Sequence, residues 1–302
     1  MRIGIDLGGT KIEGIGLEAE MPAIPRHRVA TPRDYAATLD AIARLVAELE
    51  VEAGRSGSVG VGIPGVVTHA TGLVKNANST WLNGRALRTD LEARLGRPVR
   101  VANDANCFTL SEAIDGAGQG FETVFGVILG TGVGGGIAFR QRLHEGPNQI
   151  AGEWGHNPLP WMTDEERALA PECYCGKRGC VETFLSGPAF ERDYALLSGE
   201  RRSSPEIVRA AATGEPHAVT ALERYHDRLA RALAAVINLL DPDVIVLGGG
   251  ISNLPHLPSA VRAHLPRYVF SDTVQTRICP NHHGDSSGVR GAAWLWPDGA
   301  SR

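Results

Sequence analysis

The most distinctive chemical pattern in this sequence is a group of three cysteines that follows a histidine. Cys173, Cys175 and Cys180 fall within eight residues, and His156 precedes them in the segment EWGH. Three thiolates and one imidazole are the ligand set of a closed tetrahedral structural zinc site. A disulfide within the triplet would leave one cysteine over, and Cys173 and Cys175 are too close in the chain to bridge comfortably. We therefore predict that these four residues bind a structural zinc ion.

Two glutamates lie beside the predicted metal ligands. Glu153 comes three residues before His156, and Glu182 comes two residues after Cys180. A bound metal would fix the positions of both segments, so the two carboxylates are suited to hold the hydroxyls of a sugar. The alternative is that both are solvated loop charges.

A glycine-rich turn near the start of the chain is suited to bind phosphate. In this first glycine turn (residues 6–11, DLGGTK), glycines let backbone N–H groups approach an anion without obstruction. Thr10 and Lys11 add a hydroxyl and a cation, and Asp6 is placed to hold a hydrated Mg²⁺ that bridges the phosphates. An ordinary tight hairpin is the alternative. The turn is not a Walker A loop, because Thr-Lys replaces Lys-Thr and a strand follows in place of a helix.

Two further glycine clusters follow predicted strands. The second glycine turn (residues 130–136, GTGVGGG) formally matches the G-x-G-x-x-G pattern of dinucleotide-dependent oxidoreductases, but the strand-like segment 137–139 follows it where a helix is required. Two glycine hairpins are better explained as clamps on one triphosphate. The third cluster (residues 248–250) either accommodates an adenine ring or is a plain turn. The predicted ATP-binding residues are Asp6, Gly8, Gly9, Thr10, Lys11, Gly130, Thr131, Gly132, Gly134, Gly135 and Gly249.

The pair Asn103-Asp104 ends one predicted strand and opens a helix. Taken alone, Asp104 is suited to be a helix N-cap. Within a phosphoryl-transfer site it is suited to be the base that accepts the proton of the attacking hydroxyl, with Asn103 hydrogen-bonded to the sugar beside it.

Periodicity and capping signals predict the elements that position these residues. Residues 3–17 can be laid on residues 125–139 without gaps, so the chain carries two copies of one strand-turn-strand unit, 122 residues apart. Thr31 and Pro32 predict a helix start, with Thr31 as the N-cap and the helix running to Gly54. Further strands are predicted at 59–63, 99–102 and 244–247, and helices at 87–95, 105–113, 217–240 and 288–296.

The repeat predicts an α/β protein of two domains with similar topology. We expect a small N-terminal domain over residues 1–117 and a larger C-terminal domain with a zinc-binding insertion over residues 118–287. We expect the C-terminal helix, within residues 288–302, to pack back on the first domain.

The composition of the chain favours small-molecule chemistry. Its 302 residues are 43% hydrophobic and 21% charged, which allows sizeable cores. A net charge of −4 gives no basic footprint for nucleic acid or for an anionic membrane surface. No secretory signal and no membrane span is visible, so we expect a cytoplasmic protein.

Together these motifs resemble those of the ROK family of bacterial sugar kinases. The segments that carry the resemblance are DLGGTK at 6–11, GIPG at 62–65, NDAN at 103–106, GTGVGGG at 130–136, EWGH at 153–156, CYCGKRGCVE at 173–182 and DVIVLGGG at 243–250. The resemblance implies an actin-like ATPase fold of the hexokinase type, with two domains that close over ATP and a sugar, and a homodimer. Family members that repress transcription carry an additional N-terminal DNA-binding domain, and we expect none here.

The resemblance also implies roles for individual residues. Asp104 would be the catalytic base, and His156, Cys173, Cys175 and Cys180 would bind zinc. The implied sugar contacts are Asn103, Glu153, His156 and Glu182, to which we add Gly65 and Asn78.

Two loops resemble those of the fructokinase (manno-fructokinase) branch of the family. They are the segment NANSTWLNG at 76–84, in which Trp81 and Asn83 suggest a lid over an unsubstituted hexose, and the segment NPLPW at 157–161. We therefore expect D-fructose, phosphorylated on O6, as the acceptor. The alternatives are N-acetylglucosamine and then glucose.

Overall fold

The computed structural model describes residues 1–18 and 24–297 of the chain. The strands in this part of the chain are β1 (Arg2–Leu7), β2 (Lys11–Leu17), β3 (Ile24–Ala30), β4 (Ser58–Ile63), β5 (Val66–Val67), β6 (Val74–Lys75), β7 (Val99–Asn103), β8 (Thr123–Leu129), β9 (Val133–Phe139), β10 (Arg142–Leu143), β11 (Val244–Gly248) and β12 (Arg277–Pro280). The helices are α1 (Tyr35–Ala53), α2 (Leu87–Leu95), α3 (Asp104–Asp115), α4 (Asp164–Leu169), α5 (Glu182–Leu185), α6 (Gly187–Ser198), α7 (Ser204–Ala212), α8 (Pro216–Leu240), α9 (Leu257–His264) and α10 (Ser287–Trp294).

The first compact unit comprises the described parts of residues 1–120, 141–151 and 282–302. Its sheet has the strand order β3-β2-β1-β4-β7. Strands β1, β4 and β7 are parallel, and β2 runs antiparallel to β1. The carboxyl ends of β1, β4 and β7 therefore meet at one edge of the sheet, which is where α/β sheets place their ligands.

Helix α10 packs unusually closely on this sheet and on α3. A methyl group at Gly60 would lie 1.9 Å from the carbonyl oxygen of Ala292, and one at Gly291 would lie 1.6 Å from that of Cys107. Both positions therefore require glycine. The close contact holds β4 and α3, which carry residues of the candidate site at their ends, against a rigid support.

The second compact unit comprises residues 121–140 and 152–281. Its strands lie in the order β9-β8-β11-β12, with β8, β11 and β12 parallel and β9 antiparallel to β8. The long helix α8 buries one face against this unit's core, which includes Tyr225, Leu229 and Leu233. None of the described helices is both long enough and apolar enough to span a membrane.

The structure confirms both glycine hairpins and shifts one helix start. Strands β1 and β2 pair across the first glycine turn, and β8 and β9 pair across the second. The N-cap of α1 is Asp34, whose side chain accepts the N–H of Ala37, and not Thr31 as predicted. The N–H of Thr31 donates to the carbonyl of Thr10, and its hydroxyl donates to the carbonyl of Gly8. Thr31 therefore extends the β2–β3 pairing instead of capping the helix.

The two units do not coincide with the sequence boundaries that we expected. Residues 141–151 pack with the first unit, although the sequence placed them in the second domain. Helix α10 packs against β1, β4 and α3 of the first unit. Residues 298–302 of the predicted C-terminal segment lie outside the described residues.

A buried ion network supports the second unit beneath α8. Both oxygens of Glu166 accept hydrogen bonds from Arg231, and Oε1 also accepts one from Arg228. Burial opposes ionisation of Glu166, but these hydrogen bonds outweigh it and lower the pKa of the carboxyl to about 2. Ionised Glu166 therefore stabilises the folded state above the usual glutamate pKa.

We expect Glu166→Gln to destabilise the second unit by about 2 kcal/mol, because it removes the carboxylate that the two buried guanidinium groups share and leaves Arg228 paired with Asp193 and Arg231 with Asp227. The contribution of the native carboxylate is complete above about pH 4.5 and is lost as pH falls toward about 2, since the folded pKa lies below the unfolded one. Urea unfolding midpoints at pH 7 and pH 3 measure both effects. Glu165→Gln is the matched control, because that glutamate is 68% exposed and its pair with Arg224 is worth under about 1 kcal/mol.

Candidate functional site

The four predicted metal ligands come together in the second unit. One ligand atom from each of His156, Cys173, Cys175 and Cys180 lies within 4.8 Å of all the others. Cys173 Sγ is 3.6 Å from His156 Nδ1, and the Sγ atoms of Cys175 and Cys180 are also 3.6 Å apart. Two sulfurs bound to one tetrahedral zinc at about 2.3 Å lie roughly 3.8 Å apart. The donor set and its spacing therefore fit a closed tetrahedral metal site.

The second ring nitrogen of His156 points away from the thiols. Its Nε2 atom is 2.9 Å from the hydroxyl of Tyr174. Tyr174 lies between Cys173 and Cys175 in the sequence and is 78% exposed. Glu153 Oε2 is 4.0 Å from the same nitrogen. If Nδ1 binds a metal, Nε2 would carry the proton and would donate a hydrogen bond to the hydroxyl of Tyr174. Tyr174 is a neighbour of the predicted sugar contacts that sequence reasoning did not identify.

Glu182 is held against the second glycine turn. Its Oε2 atom accepts the N–H of Val133 at 2.9 Å. A methyl group at Gly132 would lie 2.6 Å from the same oxygen. The predicted sugar-binding carboxylate therefore already supports the turn to which we assigned phosphate binding, a contact that spans 49 residues and has no signal in the sequence.

A pair of carboxylates lies at the carboxyl edge of the first unit's sheet. Asp6 is near the end of β1, and Asp104 is the first residue of α3 after β7. Burial raises the pKa of Asp6 to about 7, with the negative charges of Asp104 and Glu13 adding to the effect and Lys11 opposing it. Two carboxylates that disfavour each other's ionisation form a site that a cation stabilises.

The structure assigns the helix cap to Asn103. The side-chain oxygen of Asn103 accepts the N–H groups of Ala105 and Asn106, and its amide nitrogen donates to the carbonyl of Gly65. One oxygen of Asp104 accepts the N–H of Ala105. Because the neighbouring residue fulfils the capping role, the helix start does not depend on Asp104 as its N-cap.

The first glycine turn is closed by its own backbone. The N–H of Gly8 donates to the carbonyl of Lys11, and the ammonium of Lys11 lies 3.3 Å from Glu13 Oε1. Gly9 and Thr10 are exposed. The predicted phosphate cation is therefore held on a buried carboxylate in this structure.

The loop at 76–84 is shaped by Asn83. Its side-chain oxygen accepts the N–H of Ala77, and its amide nitrogen donates to the carbonyl of the same residue. Trp81 packs against the core of the first unit. Both residues therefore shape the loop itself, which removes the structural argument for a lid over an unsubstituted hexose. Asn78 is exposed at the loop's tip.

Ser79, in the same loop, is a residue that sequence reasoning missed. Only 2% of it is exposed, and its hydroxyl has no hydrogen-bond partner among the described residues. A methyl group at Gly9 would lie 3.6 Å from that hydroxyl. A buried hydroxyl without a partner beside the first glycine turn is suited to a polar ligand.

The third glycine cluster lies beside the second glycine turn. Gly249 has φ of +84°, and a methyl group there would lie 2.3 Å from the carbonyl oxygen of Leu129, the residue that precedes Gly130. The structure thus brings Gly249 and the end of β8 together at the carboxyl edge of the second unit's sheet, as the parallel pairing of β8 and β11 requires. Thr131 is exposed at the tip of the turn.

This chain belongs to the ROK family, whose model matches residues 2–299. It is 42% identical to the N-acetyl-D-glucosamine kinases of Photobacterium profundum and Vibrio cholerae, in each case over 98% of this chain and 99% of the relative. The family resemblance inferred from the motifs is therefore confirmed.

Solved structures of the family share the fold. The ROK hexokinase of Thermus thermophilus is 31% identical, with a TM-score of 0.85 over 97% of this chain and 96% of that one. A ROK family glucokinase from Streptomyces griseus, solved in complex with glucose and AMPPNP, is 30% identical, with a TM-score of 0.78 over 97% and 98% of the two chains. The predicted actin-like, hexokinase-type fold is confirmed.

Proposed function

We propose that this chain is an ATP-dependent N-acetyl-D-glucosamine kinase. The observation that carries the proposal is the 42% identity, over nearly the full length of both chains, to relatives that bear this name. The solved glucokinase complex with glucose and AMPPNP supports the broader class, a kinase that uses ATP and a sugar.

Asp104 is the proposed base of the reaction. A terminal primary hydroxyl of the sugar attacks the γ-phosphorus of ATP, the bond from that phosphorus to the bridging oxygen breaks, and ADP leaves with that oxygen. The hydroxyl proton passes to a carboxylate oxygen of Asp104. Because Asn103 holds the helix cap, a substitution at Asp104 tests chemistry more than helix stability.

The remaining assignments on the nucleotide and sugar sides stay proposals. Asp6 would hold Mg²⁺ through water, and the ion, when bound, would neutralise phosphate charge. In the first unit, the first glycine turn would bind phosphate. In the second unit, the second glycine turn and Gly249 would bind nucleotide, and Glu153, His156 and Glu182 would hydrogen-bond sugar hydroxyls. We propose zinc as the metal at the cysteine cluster because three thiolates and an imidazole are typical of structural zinc. The homodimer stays a prediction.

The comparisons do not support the fructose preference that we expected from the two loops. The relatives are named for N-acetyl-D-glucosamine, the first alternative in our sequence analysis. Asn83, on which the expectation of a closed lid partly depended, bonds its own loop through both polar atoms. Discrimination among hexoses depends on a few hydrogen bonds of about 1 kcal/mol each, so a loop resemblance is a weak guide.

A coupled ADP-release assay tests the acceptor. We expect kcat/KM for N-acetylglucosamine to exceed those for fructose, mannose and glucose by at least about tenfold, which corresponds to about 1.4 kcal/mol of transition-state binding. Protein carrying Asp104→Asn, purified in parallel, controls for contaminating kinases. If fructose leads, the specificity is wrong while the kinase assignment stands. If the rate of ADP formation exceeds that of the control with none of the four sugars, the enzyme assignment fails.

A further inference from the structure

The metal ligands stand next to the residues that contact the second glycine turn. Trp154 comes two residues before His156 in the same short 3-10 helix, and its indole N–H donates to the carbonyl of Gly134 at 2.9 Å. Glu182 comes two residues after Cys180 and accepts the N–H of Val133. These two contacts of the turn therefore come from residues that lie two positions from a metal ligand in the chain.

These contacts leave no free space between the metal-binding segments and the turn. A methyl group at Gly135 would lie 2.7 Å from Cδ1 of Trp154, and one at Gly155 would lie 2.1 Å from the carbonyl oxygen of Val133. Trp154 is only 5% exposed and packs edge-on against Phe125 of β8. A displacement of either metal-binding segment would therefore move the turn with it.

The metal would add side-chain bonds between two segments that are already paired at an antiparallel bridge between Pro158 and Cys180. His156 belongs to one segment, and the three cysteines belong to another that follows it 17 residues later. Backbone bonds from Val181 to Asn157 and from Leu159 to Gly179 connect them, and the cysteine segment itself is mostly turn. Four ligands on one ion would hold the Trp154 and Glu182 contacts in a fixed geometry.

We propose that metal binding at the cysteine cluster and nucleotide binding at the second glycine turn are energetically coupled, with Trp154 and Glu182 as the positioning residues that transmit the coupling. The inference rests on the proposed function, because it takes the turn to be a phosphate site. Coupling is reciprocal: if the metal raises nucleotide affinity by some factor, the nucleotide raises metal affinity by the same factor. Typical factors for coupled sites are about 5- to 150-fold.

The first experiment measures zinc affinity of the metal-loaded protein by equilibrium competition with a chelator, with and without saturating Mg·AMPPNP. We expect the nucleotide to tighten zinc binding by at least about fivefold. In the reverse direction, calorimetric affinity for Mg·AMPPNP should fall by the same factor once zinc is removed.

Trp154→Phe tests whether the named contact carries the coupling. Phenylalanine keeps an aromatic ring in the core but removes the N–H that bonds Gly134, so we expect zinc to remain bound while the coupling factor falls toward one. Trp161→Phe is the matched control, because Trp161 lies five residues beyond His156, is 54% exposed and stacks on Tyr268. Trp161→Phe should keep the full coupling factor. Zinc that binds to the nucleotide itself affects both variants equally, so comparing them removes its contribution.

Three outcomes contradict the inference. Equal zinc affinity with and without nucleotide, in protein shown to bind both, overturns the coupling and leaves the proposed function intact. An unchanged coupling factor in Trp154→Phe, with thermal stability lowered, reduces Trp154 to a core residue and overturns its positioning role. Failure of Mg·AMPPNP to bind either form overturns both the coupling and the kinase assignment.

Discussion

Asp104→Asn is expected to lower kcat for sugar phosphorylation by about 10²- to 10⁴-fold, the usual contribution of a positioned general base. Asparagine matches the size of aspartate and retains an oxygen that can accept the N–H of Ala105, so the start of α3 should persist. KM for the sugar and affinity for Mg·AMPPNP should change far less than kcat, because the lost interaction belongs to the transition state. Steady-state kinetics and calorimetry on the same preparation measure these quantities.

Asp34→Asn is the matched control for this substitution. Asp34 also stands at a helix start in the first unit and accepts an N–H from its first turn, but it lies at α1, where no chemistry is proposed. Asparagine caps helices about as well as aspartate, so this variant should keep its activity. Near-normal turnover in folded Asp104→Asn would remove Asp104 from the mechanism.

The sequence identified those parts of the site whose chemistry is local. The cysteine spacing and the preceding histidine predicted a cluster that the structure assembles, because few other roles need three thiols in eight residues. The glycine hairpins were also predictable from local sequence. A strand, a short turn and a second strand that follow one another directly pair with each other, and this unit occurs twice without gaps.

Contacts between distant segments could not be predicted in this way. Glu182 was singled out for its position beside the metal, but its bond to Val133 depends on how two segments pack. Thr31 does not cap α1 because its backbone pairs with Thr10, and Asp34 is the cap instead. The capping preferences of single residues do not contain this long-range contact. The raised pKa of Asp6 likewise arises from burial and from Asp104, nearly a hundred residues away in the chain.

Specificity was the least accessible property, for an energetic reason. Fold and metal site depend on many contacts or on strong bonds, whereas the choice between two hexoses depends on one or two hydrogen bonds. The side chains that suggested an unsubstituted hexose proved to bond their own loop or pack on the core. The residues of this loop therefore indicate how the loop folds, and the inference from them to an unsubstituted hexose was not justified.

Cys175→Ser is expected to abolish stable zinc binding and to reduce both thermal stability and sugar affinity. Cys175 is the exposed cysteine of the cluster. A hydrogen bond from the backbone N–H of Lys177 lowers the pKa of its thiol, which favours the thiolate that zinc requires. Serine is nearly the same size, so packing should be little disturbed while one of four ligands is lost. Without the ion, the segments that carry Glu153 and Glu182 lose their common anchor.

Metal analysis of protein purified without added zinc measures this effect, with about one zinc per chain expected in the native protein and a small fraction of that in Cys175→Ser. Cys279→Ser is the matched control, because Cys279 lies on β12, is no part of the cluster and should leave zinc content unchanged. Thermal unfolding and KM for N-acetylglucosamine, measured on both variants, should move together with zinc content. Native protein that is free of metal yet fully active and stable would show that the cluster works without zinc.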